Sequence, residues 1–404
     1  MSAEATLPAT HATRPAASDH RLWLGLGAGL GCLAAMVVAT LAARHGGPTG
    51  SPSIPPEAWR PWWWAGTIAA FGFYAAGVVL LRHASGGVAF ALVTAVVIQA
   101  LPLTAPRQLS GDIQTYAKQA WHAHTYAANR DGSVYGTLWM ALAKAVNWAG
   151  GTSDTSIGHT EIIFRLIGFV SVLGSIAIVA LLTVRKALAV AMLGWNPLVA
   201  FHFAGGGHND AFMMLLVLAG IAAASFGFAQ LGGAAWAASV FVKWSSAPLY
   251  LLWAIDRRRR GLSAGLAGAA TAALVLVAMS YAVFGGSWLH VFWALRWIEH
   301  QPANFGMVGW LHDLGLSRSA ALAVSHALEV AAVAFFAVQA WRSRLRLGLA
   351  TGVITLVGPR IEPWYAIWAI SLSAADDEDD WGKALALVLS GLLLTDAFTP
   401  ALDA

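Results

Sequence analysis

Five uncharged runs, each long enough to cross a bilayer, constrain this chain more than any other feature. They cover residues 22–43, 62–81, 88–105, 166–184 and 261–289; a helix needs roughly 20 apolar residues to span the hydrocarbon core. Only 11% of the 404 residues are charged, less than half the roughly 25% typical of soluble domains. A water-soluble globule is excluded. So is a β-barrel, whose strands of about 10 residues alternate in polarity, because these runs do not alternate. The expected fold class is an all-α polytopic membrane protein with about 10 to 12 membrane segments, short ones included.

Residues 1–20 carry Pro8, Pro15, Ser18 and Asp19 and are too weakly apolar to pack, so they are expected to form a disordered cytoplasmic tail. Residues 21–404 are expected to form a single transmembrane domain. The run at 22–43 exceeds the 7–15 residues of a signal-peptide core and reads as a first membrane helix. Cys32 is the sole cysteine, so no disulfide framework exists.

Lys and Arg beside short loops stay in the cytoplasm. Arg82, Arg185 with Lys186, Arg257 to Arg260, and Arg342, Arg344 and Arg346 would then share the cytoplasmic side. The net charge of +4 is explained by this topology, and no nucleic-acid partner is implied. Segments 111–160 and 286–318 and the surroundings of Arg360 fall outside. Between Lys186 and Arg257 the chain must cross an even number of times, yet it is interrupted by Asn196-Pro197, by Gly205-Gly206-Gly207, and by Lys243 with Pro248. Broken or re-entrant helices are expected here, because irregular backbone is tolerated in a membrane where it lines a cavity. The acidic tract 376–380 reads as a solvated turn between helices, and no internal repeat is evident.

Four constellations carry the chemistry. In the first outside segment, Ile113, Tyr116, Ala117, Ala120, Trp121 and His124 recur with helical period, predicting an interfacial helix. Asp112 stands at its start, either as a capping carboxylate or as a general base facing a cavity. The second is Trp195 to Met214, where three glycines precede His208, Asn209 and Asp210. Glycines let the chain bend or let a ligand approach its backbone, and the polar trio reads as a binding cluster or a structural network. His202 reads as a satisfied core histidine. Lys243 interrupts an uncharged stretch; it either faces a cavity with an acidic or anionic partner or snorkels to the interface. No HExxH or DxD element accompanies His208 and Asp210, so neither a metal nor another cofactor is expected.

The third is 296–315, with Glu299, His300, Gln301 and Asn304 among Trp288, Trp293, Trp297 and Trp310, indoles suited to a membrane surface. The fourth is Pro359 to Trp368, which sets Arg360 and Glu362 beside Trp364 and Tyr365. A guanidinium fork suits phosphate, and aromatic rings suit sugars or prenyl chains.

The stretches GDIQTYAKQA, VYGTLW, FRLIGF, WNPLVAFHFAGGGHNDAFMM, VFVKWSSAPLYLLW and PRIEPWYAIW together resemble GT-C fold glycosyltransferases. Within these they are similar to the bacterial polyprenol-phosphate-mannose-dependent α-mannosyltransferases that build lipoglycans. The family's tyrosine-glycine-proline element is here Tyr135-Gly136-Thr137. The resemblance implies a GT-C-type bundle in the plasma (inner) membrane, with interfacial helices in the 110–160 loop and an active site facing outside. It also implies inverting transfer of a hexose, with mannose the expected sugar, from a polyprenyl-phosphate donor to a glycan or glycolipid acceptor. Asp112 corresponds to the family's catalytic base. His208, Asn209, Asp210, Lys243, His300, Gln301, Arg360, Glu362, Trp364 and Tyr365 are the expected substrate contacts, with Arg360 first among the groups stabilising the departing phosphate. The rival reading is a transporter or flippase of lipid-linked sugars, which also uses broken helices but predicts inverted repeats and little chemistry in outside loops.

Overall fold

The computed structural model describes residues 17–46, 55–107, 109–121, 125–126, 132–153, 156–299, 301 and 305–398. Residues 1–16 of the expected tail, and His124, His300 and Asn304, lie outside the described residues. Helix α1 begins at Ala17, within the stretch expected as tail.

The described residues form an all-α protein of eighteen helices. In chain order these are α1 (Ala17–Ala43), α2 (Arg60–Leu81), α3 (Val88–Ala100), α4 (Asp112–Trp121), α5 (Thr137–Gly150), α6 (Thr160–Leu182), α7 (Lys186–Gly194), α8 (Pro197–Ala200), α9 (Asp210–Ser225), α10 (Ala229–Val242), α11 (Ser246–Arg259), α12 (Leu266–Phe284), α13 (Val291–Glu299), α14 (Met307–Asp313), α15 (Arg318–Trp341), α16 (Leu347–Val357), α17 (Ala366–Ala374) and α18 (Asp380–Leu393). Six helical stretches among the described residues are long and apolar enough to cross a membrane. One bent pair and four shorter apolar helices add to them. This is a polytopic membrane protein, and its apolar segments match the sequence expectation once short ones are included.

The bent pair is the break expected at Asn196-Pro197. Helix α7 and the stretch Pro197–Gly205 meet at 52°, and residues Phe201–Gly205 wind as a π-helix. Pro197 cannot donate to the preceding turn, so Asn196 closes the gap. Its Oδ1 accepts from the amides of Leu198 and Val199 at 3.0 and 3.4 Å, and its Nδ2 donates to Tyr74 Oη and Ser390 Oγ. Such a cap is worth about 1 kcal/mol, and here it also ties the break to α2 and α18. Apart from Lys186 at the start of α7, helices α7 and α17 are buried throughout and form the centre of the bundle, as nearly all-apolar helices must.

At one end of the bundle the acidic tract does more than turn. Arg82 pairs with Asp380 at 2.7 Å, Arg185 with Asp377 and Asp380 at 3.4 and 3.6 Å, and Arg346 with Asp376 and Glu378 at 3.5 and 2.6 Å. Arg259 and Arg260 donate to the carbonyls of Trp341 and Ser343 at 3.0 Å. All four basic clusters therefore gather at the same end, as the topology argument requires. Helices α3 and α6 run between that end and the other, where the polar motifs assemble.

Trp288 departs from expectation. It is buried, stacked on Trp244 at 6.3 Å, because the chain folds back there in a 3-10 turn (Gly285–His290).

Candidate active site

Helix α4 forms where the periodicity placed it. Ile113, Tyr116, Ala117 and Ala120 are buried, and Asp112 occupies the first turn. The Asp112 amide donates to Ser110 Oγ at 3.0 Å, which fixes the helix start without engaging the carboxylate. His208 Nδ1 lies 3.1 Å from Asp112 Oδ2, and Tyr116 Oη donates to the same oxygen at 3.3 Å. The Asn209 amide in turn donates to Tyr116 Oη at 3.4 Å. Tyr116 is gripped edge-on by Tyr135, Trp139 and Phe164 at 4.8 to 5.4 Å.

Glycine lets these two segments approach. Gly207 has φ +67°, and a Cβ there would sit 2.6 Å from Ile113 Cδ1; the left-handed backbone disfavours a larger residue, and the end of the Ile113 side chain would have to shift to admit one. Gly136 makes the corresponding approach on the other side, its amide donating to Val242 O at 3.0 Å. Arg165 of α6 holds the scaffold behind. Its guanidinium donates to Ala204 O at 2.9 Å and to Pro102 and Ala105 O at 2.5 and 2.8 Å, stapling the π-helix to the turn that leads into α4.

Lys243 resolves to the paired reading. It donates to both oxygens of buried Asp210 at 2.8 and 2.9 Å, and its ammonium lies 4.3 Å from the centre of the Tyr365 ring. Trp368 Nε1 donates to Asp210 at 2.7 Å. Trp364 stacks on His208 with ring centres 3.7 Å apart. The loop carrying Arg360 is fastened to the third constellation: Ile361 N donates to Phe305 O at 3.0 Å and Met307 N to Gly358 O at 3.1 Å. Arg360 pairs with Glu362.

These pieces enclose a cavity of about 370 Å³, lined by Asp112, Lys243, Arg360, Glu362, Trp364 and Tyr365 together with apolar residues such as Leu249, Leu295 and Ile354. His208, Asn209 and Asp210 are at most 1% exposed and stand behind the cavity wall, holding Asp112 and Lys243. Gln301, although described, is not among the lining residues. His202 is buried with both ring nitrogens lacking a hydrogen-bond partner, unlike the satisfied core histidine expected. Tyr116, Tyr135, Arg165 and Trp368, which stand within the quoted motifs, are not among the site residues expected from the sequence. Tyr116 had a local signal, standing one helical turn after Asp112.

The two carboxylates at the Asp112 and Arg360 walls differ. Burial pushes Asp112 up, but the hydrogen bond and charge of His208, the Lys243 charge and the Tyr116 hydroxyl outweigh it and hold the carboxyl below its ordinary range. Burial dominates at Glu362 and raises it, despite Arg360 and Lys243. An ionised carboxylate thus shares a cavity with a second carboxyl of lower acidity and with two cationic side chains. Among the described residues, no group of three or more His, Cys, Asp or Glu converges as a metal site.

Residues 102–256 match the family model described as the N-terminal domain of alpha-(1->6)-mannopyranosyltransferase, and residues 303–400 match the MptB C-terminal domain. Together the two cover more than half of the chain. This chain belongs to the alpha-(1->6)-mannopyranosyltransferase family. The first match contains Asp112, Arg165, the His208 to Asp210 cluster and Lys243; the second contains Arg360 to Trp368. The cavity is thus built where the two family domains meet. A curated member, alpha-(1->6)-mannopyranosyltransferase B of Corynebacterium glutamicum, is 26% identical over 317 residues, covering 66% of this chain and 50% of the relative. The chain spans about half the length of that mannosyltransferase. No solved structure matches it.

Proposed function

We propose that this protein transfers a mannosyl group from a polyprenyl-phosphate donor to a hydroxyl of a glycan or glycolipid acceptor, with inversion at the anomeric carbon. The reading is carried by one observation: the Asp112 carboxylate opens onto the same cavity as Lys243 and Arg360. Asp112 takes the proton of the acceptor hydroxyl as the new bond to the anomeric carbon forms and the bond to the phosphate oxygen breaks. Polyprenyl phosphate departs as an anion and needs charge stabilisation more than protonation. Lys243 and Arg360, which line the same cavity, supply it. His208 and Tyr116 hold Asp112 through Oδ2, and the residue lines the cavity that would receive the acceptor hydroxyl. Apolar lining residues receive the proximal prenyl units, each buried CH₂ contributing about 0.8 kcal/mol.

The positive-inside rule orients the Arg-rich end toward the cytoplasm and therefore turns the cavity outward, in a plasma (inner) membrane. No metal or other cofactor takes part in this scheme.

The test is transfer from prenyl-phosphate mannose by the purified full chain in detergent, beside prenyl-phosphate glucose and arabinose and nucleotide sugars. Asp112→Asn is expected to lower kcat by about 10²- to 10⁴-fold, the usual contribution of general-base catalysis, while donor binding persists. Arg360→Ala is expected to weaken donor binding. Full activity in the first variant, or unchanged donor affinity in the second, refutes the corresponding role.

A further inference from the structure

The basic end of the bundle is divided in two. On one side Arg82, Arg185, Arg346 and Lys383 each pair with a carboxylate of the acidic tract. On the other stand six arginines, Arg257 to Arg260 at the end of α11 and Arg342 and Arg344 just after α15. Among the described residues, Asp256 is the one carboxylate that pairs with any of these six, so this half of the surface carries a strong excess of positive charge.

The two arginine runs are distant in sequence and are built into one surface. Arg259 Nε donates to Trp341 O and Arg260 Nη2 to Ser343 O, both at 3.0 Å, and the Leu345 amide donates to Asp256 Oδ1 at 3.4 Å. Ser343, at φ +58°, makes a left-handed turn between Arg342 and Arg344, a backbone shape uncommon outside glycine. The Arg259 guanidinium lies 4.4 Å from the centre of the Trp341 ring. Arg258, Arg259, Arg260, Arg342 and Arg344 are all exposed.

Guanidinium groups gathered in this way suit a phosphate, and the surroundings say that the phosphate carries an acyl tail. Trp341 is 61% exposed and Leu262 48%, so apolar side chains stand among the arginines, as they do at headgroup level in a bilayer. The two spans that meet this surface, the one that begins with α12 and the one formed by α15, are the least buried of the six, with 11% and 17% of their most apolar windows inside the protein. In a bilayer, lipid lies against both. Clusters of about four to eight Lys or Arg beside a membrane helix attract anionic lipids. We propose that Arg257 to Arg260, with Arg342 and Arg344, form a docking surface for the headgroups of anionic phospholipids. An acidic soluble protein would match the charge but would leave the exposed apolar side chains without a role.

The test titrates the purified full chain, in neutral detergent, with phosphatidylglycerol and with phosphatidylcholine of the same acyl chains. The variants are the triple Arg258→Gln, Arg342→Gln and Arg344→Gln, the single Arg258→Gln, and Lys118→Gln as a charge control on α4, all checked for parental thermal unfolding. The parent is expected to bind phosphatidylglycerol more tightly than phosphatidylcholine. Each arginine removed should cost about fivefold in phosphatidylglycerol affinity, or roughly 100-fold in the triple variant, with phosphatidylcholine binding and the Lys118→Gln protein unchanged. Equal affinity of the parent for the two lipids, parental phosphatidylglycerol affinity in the triple variant, or the same loss in Lys118→Gln overturns the proposal. So does displacement of the lipid by inorganic phosphate at equal concentration, which marks a site for small anions, or by poly-glutamate at equal charge, which marks a site for an acidic protein.

Discussion

Replacing His208 by phenylalanine isolates what the histidine does for Asp112. Phenylalanine keeps a ring against Trp364, where the stack is 3.7 Å deep, and deletes the 3.1 Å contact to Asp112 Oδ2. In the parent, burial is opposed by the hydrogen bond and charge of His208, the Lys243 charge and the Tyr116 hydroxyl, and the carboxyl lies below its ordinary range. As the proposed base, Asp112 must be ionised, so activity is expected at neutral pH and is expected to be lost only as pH falls through that lowered value. Without His208, burial is left against Lys243 and Tyr116 alone, and the value rises. A hydrogen bond to a charged group is worth about 1.5–3 kcal/mol, and 1.36 kcal/mol corresponds to one pH unit. The acid limb of kcat/KM should therefore move upward by about one to two pH units in His208→Phe. The assay is initial rates from pH 4 to 8 with prenyl-phosphate mannose, beside a thermal unfolding curve. Superimposable acid limbs would refute the reasoning. Equal loss of activity at every pH would show that the histidine does something other than hold the base.

The buried pair Lys243–Asp210 predicts non-additivity. Lys243→Met leaves Asp210 buried without its ammonium and should cost about 3–5 kcal/mol of stability, much of it recovered by adding Asp210→Asn; activity should stay low in both, and equal unfolding midpoints for single and double variants would contradict the pairing. Gly207→Ala should lower stability by roughly 1–3 kcal/mol through left-handed strain, with further loss from the Ile113 contact, and a parental unfolding midpoint would count against the packing described. Arg165→Lys should reduce kcat more than donor binding, because a single ammonium cannot bridge the Ala204, Pro102 and Ala105 carbonyls; unchanged kcat would show that the staple does not position the base.

Much of this architecture is legible without coordinates, for specific physical reasons. Spanning runs announce themselves because bilayer thickness fixes their length, and the break at Asn196-Pro197 follows from a missing donor. The amphipathic period of α4 placed Asp112 at a helix start. Pairings across the fold were not legible. Asp112 and His208 are 96 residues apart, and nothing local says that Asp210, 33 residues before Lys243, will neutralise it. The His208 to Asp210 cluster was expected to touch substrate, because polar residues beside glycines look like a binding loop. Folding instead buries it one layer back, where it holds the groups that line the cavity. The link between Phe305 and Ile361 depends on two loops meeting, which only the assembled bundle decides.

Helix α15 contributes Glu329 to the cavity lining, and only 17% of its most apolar window is buried in the protein. In a bilayer the rest of that window faces acyl chains, so this helix carries a cavity-lining residue on one side and lipid contact on the other. Under the proposed function, a prenyl-linked donor reaches the cavity sideways, past this helix, without entering water. For such a reaction, concentration is counted in two dimensions. The relevant quantity is mole fraction of donor among the lipids, and diluting the donor with inert phospholipid at constant bulk concentration will slow the enzyme as effectively as removing substrate.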